Sequence, residues 1–190
     1  MPILPRNFSV DFQRQYAYTS GSKIARIWKC LTTPGLQAIM VYRIGAWAMS
    51  RSKILTLPVR ILYRVLNTLV KICWGIDIEP GAKIGPGLYI GHFGGINISG
   101  LATLGHSCNI SQSVTIGVSG NGEKFGAPTI GDMVFIAPGA RVFGKIKVGN
   151  NVKIGANAVI HADVEDNAIA VMDPGFKVIS HKGNRRNVAS

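Results

Sequence analysis

The sequence predicts a mainly β fold, a parallel β-helix of hexapeptide repeats preceded by a short α-helical N-terminal region. Two observations carry this prediction: an apolar residue returns at every sixth position in two phased blocks, and residues 1–76 lack that repeat but are rich in Lys and Arg. Neither an α-helix nor an alternating strand has a period of six, whereas a triangular coil of three short strands does. The 190 residues, 47% of them apolar, suffice for one such domain with an appendage.

The repeat runs from residue 78 to residue 160. Its thirteen apolar positions are Ile78, Ile84, Ile90, Ile96, Ala102, Cys108, Val114, Ile130, Ile136, Val142, Val148, Ile154 and Ile160. Each side chain is expected to point inward and to stack on its equivalent one coil, about 18 residues, away. Gly and Asn often follow, and they suit corners where φ is positive. We therefore assign residues 77–180 to the β-helix and residues 181–190 to a disordered tail.

Residues 117–129 interrupt the repeat. They are rich in Gly and also contain Asn, Ser and Pro, a composition typical of an extruded loop. A long loop that leaves a regular solenoid is often functional, and a tolerated surface insertion is the alternative. The functional interpretation is favoured because the loop lies close in sequence to His92.

Residues 1–76 form a basic region with eleven Lys or Arg and a single acid, Asp11, whereas the rest of the chain has ten Lys or Arg against eight acids. An anionic partner is therefore expected for this region alone. Residues 1–25 are expected to be irregular, and helices are predicted to begin at Thr33-Pro34 and Leu57-Pro58 because Pro is favoured at the first helical position. The second helix has an apolar face and a basic stripe, so it either packs on another helix or lies on an anionic membrane.

Several classes of location and partner are not predicted. Neither a signal peptide nor an uncharged apolar run of about 18 residues is visible, which indicates a cytoplasmic protein that is at most peripheral at the membrane. Cys30, Cys73 and Cys108 lack paired spacing, as expected in a reducing compartment. The N-terminal aromatic residues fall at helix-core spacing, so nucleic-acid binding is not expected. The histidine spacings do not converge on a metal site.

His92 is the candidate general base. It follows Gly91 at a predicted corner, and two glycines after Phe93 leave room for a ligand. A neutral imidazole can accept a proton near neutral pH. Asp77, a little less than one coil earlier, is expected on the adjacent coil, where its carboxylate could orient the imidazole. Its alternative role is to cap the first turn of the solenoid.

These motifs resemble a known family. The strings Asp77–Gly85, Gly91-His92, Gly94-Gly95, Ser113–Gly117 and Ile154–Ile160 are similar to the serine acetyltransferase branch of the left-handed β-helix acyltransferases, over about residues 77–180. The resemblance implies a homotrimer with active sites between neighbouring prisms and acetyl-CoA as the donor. It also implies that His92 is the catalytic base and that Asp77 supports it.

The resemblance further nominates residues for the donor. Small residues would let the pantetheine arm approach the groove, and lysines would lie near the CoA phosphates. The nominated residues are Gly117, Pro138, Gly155 and Ala156 for the arm, and Lys153 or Lys177 for the phosphates. The alternatives are that the small residues only form corners and that the lysines are solvated.

Departures from that branch bear on the acceptor. Members that acetylate an amino acid have an Asp before the catalytic His and an Arg-His pair at the end of the loop, where this chain has Gly91, Gly126 and Ala127. Their longer helical domain supplies a further acid. Because unpaired charge in a cleft is costly, a zwitterionic acceptor is disfavoured. The short N-terminal region, with its Tyr42-Arg43 and Tyr63-Arg64 pairs, instead resembles the exopolysaccharide and colanic-acid type of O-acetyltransferase.

The sequence therefore predicts an acetyl-CoA-dependent O-acetyltransferase of exopolysaccharide, capsule or glycan biosynthesis. Its acceptor would be the hydroxyl of a sugar, free or on a lipid-linked glycan, and transfer would be direct because no cysteine is placed to act as a nucleophile. One alternative is serine O-acetylation for cysteine biosynthesis. A second is a non-catalytic hexapeptide scaffold, which His92 and Asp77 argue against.

Overall fold

The structure, a computed structural model, describes residues 4–172, with side chains described from Asn7 onward. Within these residues four helices precede fourteen short strands. The helices are α1 (Leu4–Ala17), α2 (Lys23–Thr32), α3 (Pro34–Met49) and α4 (Lys53–Trp74). The strands are β1 (Ile76–Ile78), β2 (Lys83–Ile84), β3 (Tyr89–Ile90), β4 (Ile96–Ile98), β5 (Thr103–Leu104), β6 (Asn109–Ile110), β7 (Thr115–Gly117), β8 (Thr129–Ile130), β9 (Phe135–Ile136), β10 (Arg141–Phe143), β11 (Lys147–Val148), β12 (Lys153–Ile154), β13 (Val159–Ile160) and β14 (Ile169–Ala170).

The strands form the three walls of a parallel β-solenoid. Sheet A has the order β1-β4-β7-β10-β13, sheet B the order β2-β5-β8-β11, and sheet C the order β3-β6-β9-β12-β14. Each strand pairs in parallel with a strand one coil away. The predicted fold class, a β-helix of hexapeptide repeats with a helical N-terminal region, is confirmed.

The core consists of stacked inward side chains, but the first coil is longer than the second. Asp77 pairs with Asn97, and Asn97 pairs with Thr115, so the first coil contains two extra residues, which fall between β3 and β4. Ile78 therefore stacks on Ile98 and not on Ile96. The apolar residues at every sixth position of the sequence thus belong to two different columns of stacked inward side chains. The side chains of both columns are apolar and buried, which is why the period of six in the sequence continues across the two extra residues.

The predicted loop is present between β7 and β8. It contains a 3₁₀-helix at Gly122–Lys124 and an antiparallel bridge between Ser119 and Gly126. Across the loop β7 pairs in parallel with β10, so the solenoid resumes in register on the far side. The loop is therefore an extrusion from one edge and leaves the core columns unbroken.

Two expectations about the N-terminal region are wrong. Residues 1–25 are not irregular as a whole, because α1 and the start of α2 lie within them, with Ser22 as the N-cap of α2. The last helix begins at Lys53 and not at Leu57-Pro58, so Pro58 lies inside α4. Thr33 and Pro34 do begin α3, as predicted.

The helices close the open edge of the first coil with hydrogen bonds. The Tyr42 hydroxyl donates to the Ala82 carbonyl at 2.8 Å, and the Arg43 guanidinium donates to the carbonyls of Ile84 and Gly85, both at 2.6 Å. The Asp11 carboxylate, buried against Arg43 with Oδ2 2.9 Å from Nε, also accepts from two backbone N–H groups of this coil. Asp11 and Arg43 therefore dock α1 and α3 on the solenoid.

None of the helices within residues 4–172 is long and apolar enough to cross a bilayer. The predicted tail 181–190 and residues 173–180 of the predicted β-helix, including Lys177, lie outside the described residues.

Candidate active site

A groove runs along one corner of the prism, where the strands of sheet C end. The residues that follow these strands form a column down this corner: Gly91 and His92 after β3, Ser111 and Gln112 after β6, Ala137 and Pro138 after β9, and Gly155 and Ala156 after β12. The upper part of the groove has a volume of about 330 Å³, with His92, Gln112 and Pro138 in its lining. A groove of this form, which combines apolar side chains with a few polar ones, suits an extended ligand with one reactive end.

His92 projects at the top of this groove because its corner is two residues longer than the equivalent corners. Gly94 and Gly95 have φ of +100° and +68°, which glycine adopts without strain. A methyl group at Gly95 would lie 3.2 Å from Cα of Ser113, so the close approach to the next coil also requires glycine. The imidazole is exposed and can meet a substrate.

Asp77 lies on β1, beside the segment that carries His92. Trp74 and Phe93 pack edge to face, with 5.5 Å between ring centroids, which joins the two segments. Oδ2 of Asp77 lies 2.8 Å from Nζ of Lys71, and Oδ1 is buried without a hydrogen bond among the described residues. In the same part of the chain no hydrogen bond or ion pair joins Asp77 to His92. The carboxylate is thus anchored through Oδ2 alone.

The nominated donor residues separate into two groups. Pro138 lines the groove, and Gly155 and Ala156 continue its column. Lys153 lies beside it, with Nζ 5.9 Å from the ring centroid of Phe135. Gly117 instead ends β7, at the opposite edge of sheet A, where the loop begins. One protomer therefore brings together His92, Pro138, Lys153, Gly155 and Ala156, but not Gly117.

The loop edge holds charged side chains that the sequence analysis missed. Cβ of Lys145 would lie 2.9 Å from a methyl group at Gly126, and Nζ of Lys145 donates to the Glu123 carbonyl at 3.1 Å. Lys124 and His161 line the same cleft. Lys145 comes one coil after Gly126 in the sequence, so motif matching could not show it, but the regular coil spacing elsewhere in the solenoid is a signal that could have.

Among the described residues, Cys108 is not placed to act as a nucleophile, and no metal-binding cluster is found. Cys108 is fully buried in the core, and burial raises the pKa of its thiol, which keeps it protonated. Among residues 4–172 no three His, Cys, Asp or Glu side chains are grouped so that they could hold a metal ion. The residues at the groove instead suit general-base chemistry on a bound donor.

Comparisons with known proteins agree with this arrangement. The family model described as bacterial transferase hexapeptide (six repeats) matches residues 127–162. The chain is 35% identical over 182 residues to a serine acetyltransferase of Synechococcus elongatus, and the match covers 96% of this chain and 70% of that protein.

Solved structures of serine acetyltransferases also match the fold. The enzyme of Neisseria gonorrhoeae in complex with serine has a TM-score of 0.74 at 29% identity, covering 90% of this chain and 67% of that one. A serine acetyltransferase in complex with CoA has a TM-score of 0.72 at 27% identity, covering 91% and 68%. Among eight such structures the chain spans between 61% and 69% of the other protein's length.

The repeats and the family model define a hexapeptide-repeat acyltransferase with a left-handed β-helix. Within this class the chain belongs to the serine acetyltransferase family. The predicted enzyme class, an acetyl-CoA-dependent acyltransferase, is thereby confirmed.

The predicted sugar acceptor, with its place in exopolysaccharide or glycan biosynthesis, is wrong, because the matching relatives are serine acetyltransferases. That prediction treated Gly126 and Ala127 as an uncharged end of the loop. The structure places the aliphatic stem of Lys145 against Gly126 and its ammonium at the Glu123 carbonyl, so a cation from the next coil lies on this loop.

Proposed function

We propose that this protein is a serine O-acetyltransferase, which transfers the acetyl group of acetyl-CoA to the hydroxyl of serine. The observation that carries the proposal is the 35% identity with a serine acetyltransferase along 96% of the chain. The exposed His92 at the head of the corner groove supports it, because an acceptor hydroxyl there would lie beside a donor stretched along the groove.

The reaction proceeds by direct transfer. The imidazole of His92 takes the proton of the serine hydroxyl as Oγ attacks the thioester carbonyl carbon. The C–S bond then breaks, and the CoA thiolate takes the proton from the imidazolium. Asp77 stabilises the imidazolium through its free oxygen, as the carboxylate of a catalytic triad does. No acyl-enzyme is needed.

The donor is proposed to lie along the corner column. Pro138, Gly155 and Ala156 present a surface without long side chains, which suits the pantetheine arm. Lys153, exposed beside the groove, is proposed to contact the CoA phosphates. Gly155 also has a structural role, because a methyl group there would lie 3.1 Å from Cγ1 of Val171. The contributions of Gly117 and Lys177 stay predictions.

A homotrimer is proposed because His92 and the loop edge lie at different corners of one protomer. His92 projects between sheets C and A, whereas the loop leaves the opposite edge of sheet A. A neighbouring protomer can place its loop edge against His92. We propose that Lys145 of that loop edge binds the serine carboxylate, since a buried zwitterion requires a counter-charge.

The test is thiol release from acetyl-CoA with serine as the acceptor, measured for the wild type, His92→Ala and the control His106→Ala, whose imidazole lies on a different corner. We expect turnover with serine, a loss of at least about a hundredfold in kcat for His92→Ala, and little change for His106→Ala. Acetyl-CoA binding by His92→Ala, measured by calorimetry, should persist. Absence of turnover with serine by a protein that binds acetyl-CoA would overturn the acceptor assignment.

A further inference from the structure

Helix α4 has two apolar faces, and the protomer covers only one. Thr56, Tyr63 and Val70, spaced seven residues apart, are buried toward the body of the protein, where the ring of Tyr63 packs against Gly45 of α3. The opposite side, here called the outer face of α4, consists of Ile54, Leu55, Leu57, Ile61, Leu62, Val65, Leu69 and Ile72. The predicted alternative in which the apolar face packs on another helix of the chain does not describe this outer face.

The outer face is large and continuous. All eight of its side chains are more than half exposed, and those at its two ends, Ile54 and Ile72, are 88% and 77% exposed. They extend along nearly the whole of a 22-residue helix, about 33 Å at 1.5 Å per residue. Contiguous apolar surface of this extent on a folded protein marks an interaction site.

Cations border the outer face along one edge. Lys53, Arg64 and Lys71 are exposed, and their spacings of eleven and seven place them on one side of the helix. Arg60 belongs to the same edge, but its guanidinium donates to the Ala48 carbonyl and is held within the protein. An apolar face bordered by Lys and Arg is the pattern of a helix that lies in a membrane interface.

No carboxylate of the N-terminal region offsets the charge of Lys53 and Arg64. Asp11 is the only acid in residues 1–76, and it is buried in the pair with Arg43. Asp77, the next acid along the chain, pairs with Lys71 at the end of the helix. The edge of the outer face therefore carries a net positive charge.

Helix α2 repeats the pattern of α4. Its side chains Ile24, Trp28 and Leu31 are exposed alongside the exposed Lys23. Trp at such a position is typical of the boundary between headgroups and acyl chains. The N-terminal region thus presents apolar side chains with neighbouring cations on two of its helices.

These charges decide between the possible partners. A second copy of the chain would add the same cations and no free carboxylate from its N-terminal region to offset them, and nucleic acid has no apolar surface to cover eight aliphatic side chains. We infer that the outer face of α4 docks on an anionic lipid bilayer, with its aliphatic side chains among the acyl chains and Lys53 and Arg64 at the headgroups. The helix lies in the plane of the membrane. This inference does not depend on the identity of the acceptor.

The experiment is sedimentation of the full chain with vesicles of phosphatidylcholine alone, or of two parts phosphatidylcholine to one part phosphatidylglycerol. The wild type should sediment with the anionic vesicles only, and less so as salt shortens the Debye length from about 10 Å at 0.1 M to about 3 Å at 1 M. Ile61→Asn with Val65→Asn should lower the partition coefficient at least about tenfold. Lys53→Gln with Arg64→Gln should lower it about fivefold for each cation removed.

Matched controls separate the outer face from general properties of the surface. Ile169→Asn removes an exposed aliphatic side chain from β14, and Lys83→Gln with Lys147→Gln removes two exposed cations from sheet B. Both controls should sediment like the wild type, and circular dichroism verifies that every variant is folded. Equal sedimentation of wild type and outer-face variants would overturn the proposal. The proposal would also be overturned if the wild type did not sediment with anionic vesicles and the double substitution Ile61→Asn with Val65→Asn lowered the molecular mass of the protein in solution. The outer face would then be buried between copies.

Discussion

Nζ of Lys71, in the last turn of α4, lies 2.8 Å from Oδ2 of Asp77 on β1, whose other oxygen is buried without a partner among the described residues. The pair fixes the orientation of a carboxylate that adjoins the corner of His92. Lys71 is thus a positioning residue in the proposed mechanism, because it acts on the imidazole only through Asp77.

Removing this cation should slow the chemical step. Lys71→Gln is expected to lower kcat for acetyl transfer about two- to fivefold, since the pair is partly exposed and such pairs contribute up to about 1 kcal/mol. KM for acetyl-CoA and serine should stay unchanged, and Lys83→Gln serves as the control. Steady-state kinetics with both substrates measures the effects on kcat and on KM separately. A change confined to KM would contradict the positioning role of Lys71.

Lys145 should affect the acceptor and not the donor. If its ammonium binds the serine carboxylate, Lys145→Ala raises KM for serine about tenfold or more, because hydrogen bonds to charged groups are worth about 1.5–3 kcal/mol. KM for acetyl-CoA should be unaffected. Lys147→Ala, an exposed lysine on the next strand, is the matched control. Similar effects of both variants would mean that only the general positive charge matters.

The buried pair of Asp11 and Arg43 should dominate the docking of the helices. Arg43→Met leaves a buried carboxylate without its counter-charge, and we expect a loss of about 3–5 kcal/mol in the free energy of unfolding. Urea denaturation followed by circular dichroism measures it. Arg141→Met, at an exposed arginine on β10, should cost far less. A loss below about 1 kcal/mol for Arg43→Met would show that α1 and α3 are held by other contacts.

Tyr63 should make the protein sensitive to alkaline pH. Burial, and then the negative charges of Asp77 and Glu79, raise the pKa of its phenol to about 12. Between pH 10 and pH 12 the unfolded chain has released this proton while the folded chain keeps it, so the free energy of unfolding falls as pH rises.

Tyr63→Phe should flatten that decline, measured by urea denaturation at pH 9 to 11.5. At pH 7 the variant should be no less stable than the wild type, because the Tyr63 hydroxyl is buried without a hydrogen-bond partner among the described residues. If the free energy of unfolding of Tyr63→Phe fell with pH as steeply as that of the wild type, the titrating group would be Tyr42 or Tyr89, whose pKa values are also raised by burial.

The core was predictable from sequence because it obeys a local rule. Ile84, Ile136 and Ile154 each lie inward at the expected place in their hexads, and the loop begins and ends where the period fails. The two-residue slip at His92 was not predictable, because both inward columns are apolar and the period of six continues across it. Resolving it required the pairing of Asp77 with Asn97.

Interactions between distant parts of the chain were also beyond the sequence analysis. Asp11 lacked an evident role because its partner Arg43 is remote in the sequence, and α1 has no acid in its first turn to signal its start. The acceptor was predicted by comparing residues position by position, and such a comparison does not include side chains that other coils bring to the loop, such as Lys145 beside Gly126. A solenoid distributes its charges across coils, and a linear motif does not record this.

The hydrogen bonds from Tyr42, Arg43 and Asp11 to the first coil have a consequence for assembly in solution. A parallel solenoid ends in strands whose backbone groups are ready to pair with another chain, and unprotected ends of this kind template filaments. Here three side chains occupy the carbonyls of Ala82, Ile84 and Gly85 and the N–H groups of Gly87 and Leu88. The helical region thus caps the N-terminal end of the solenoid, where another chain could otherwise add strands.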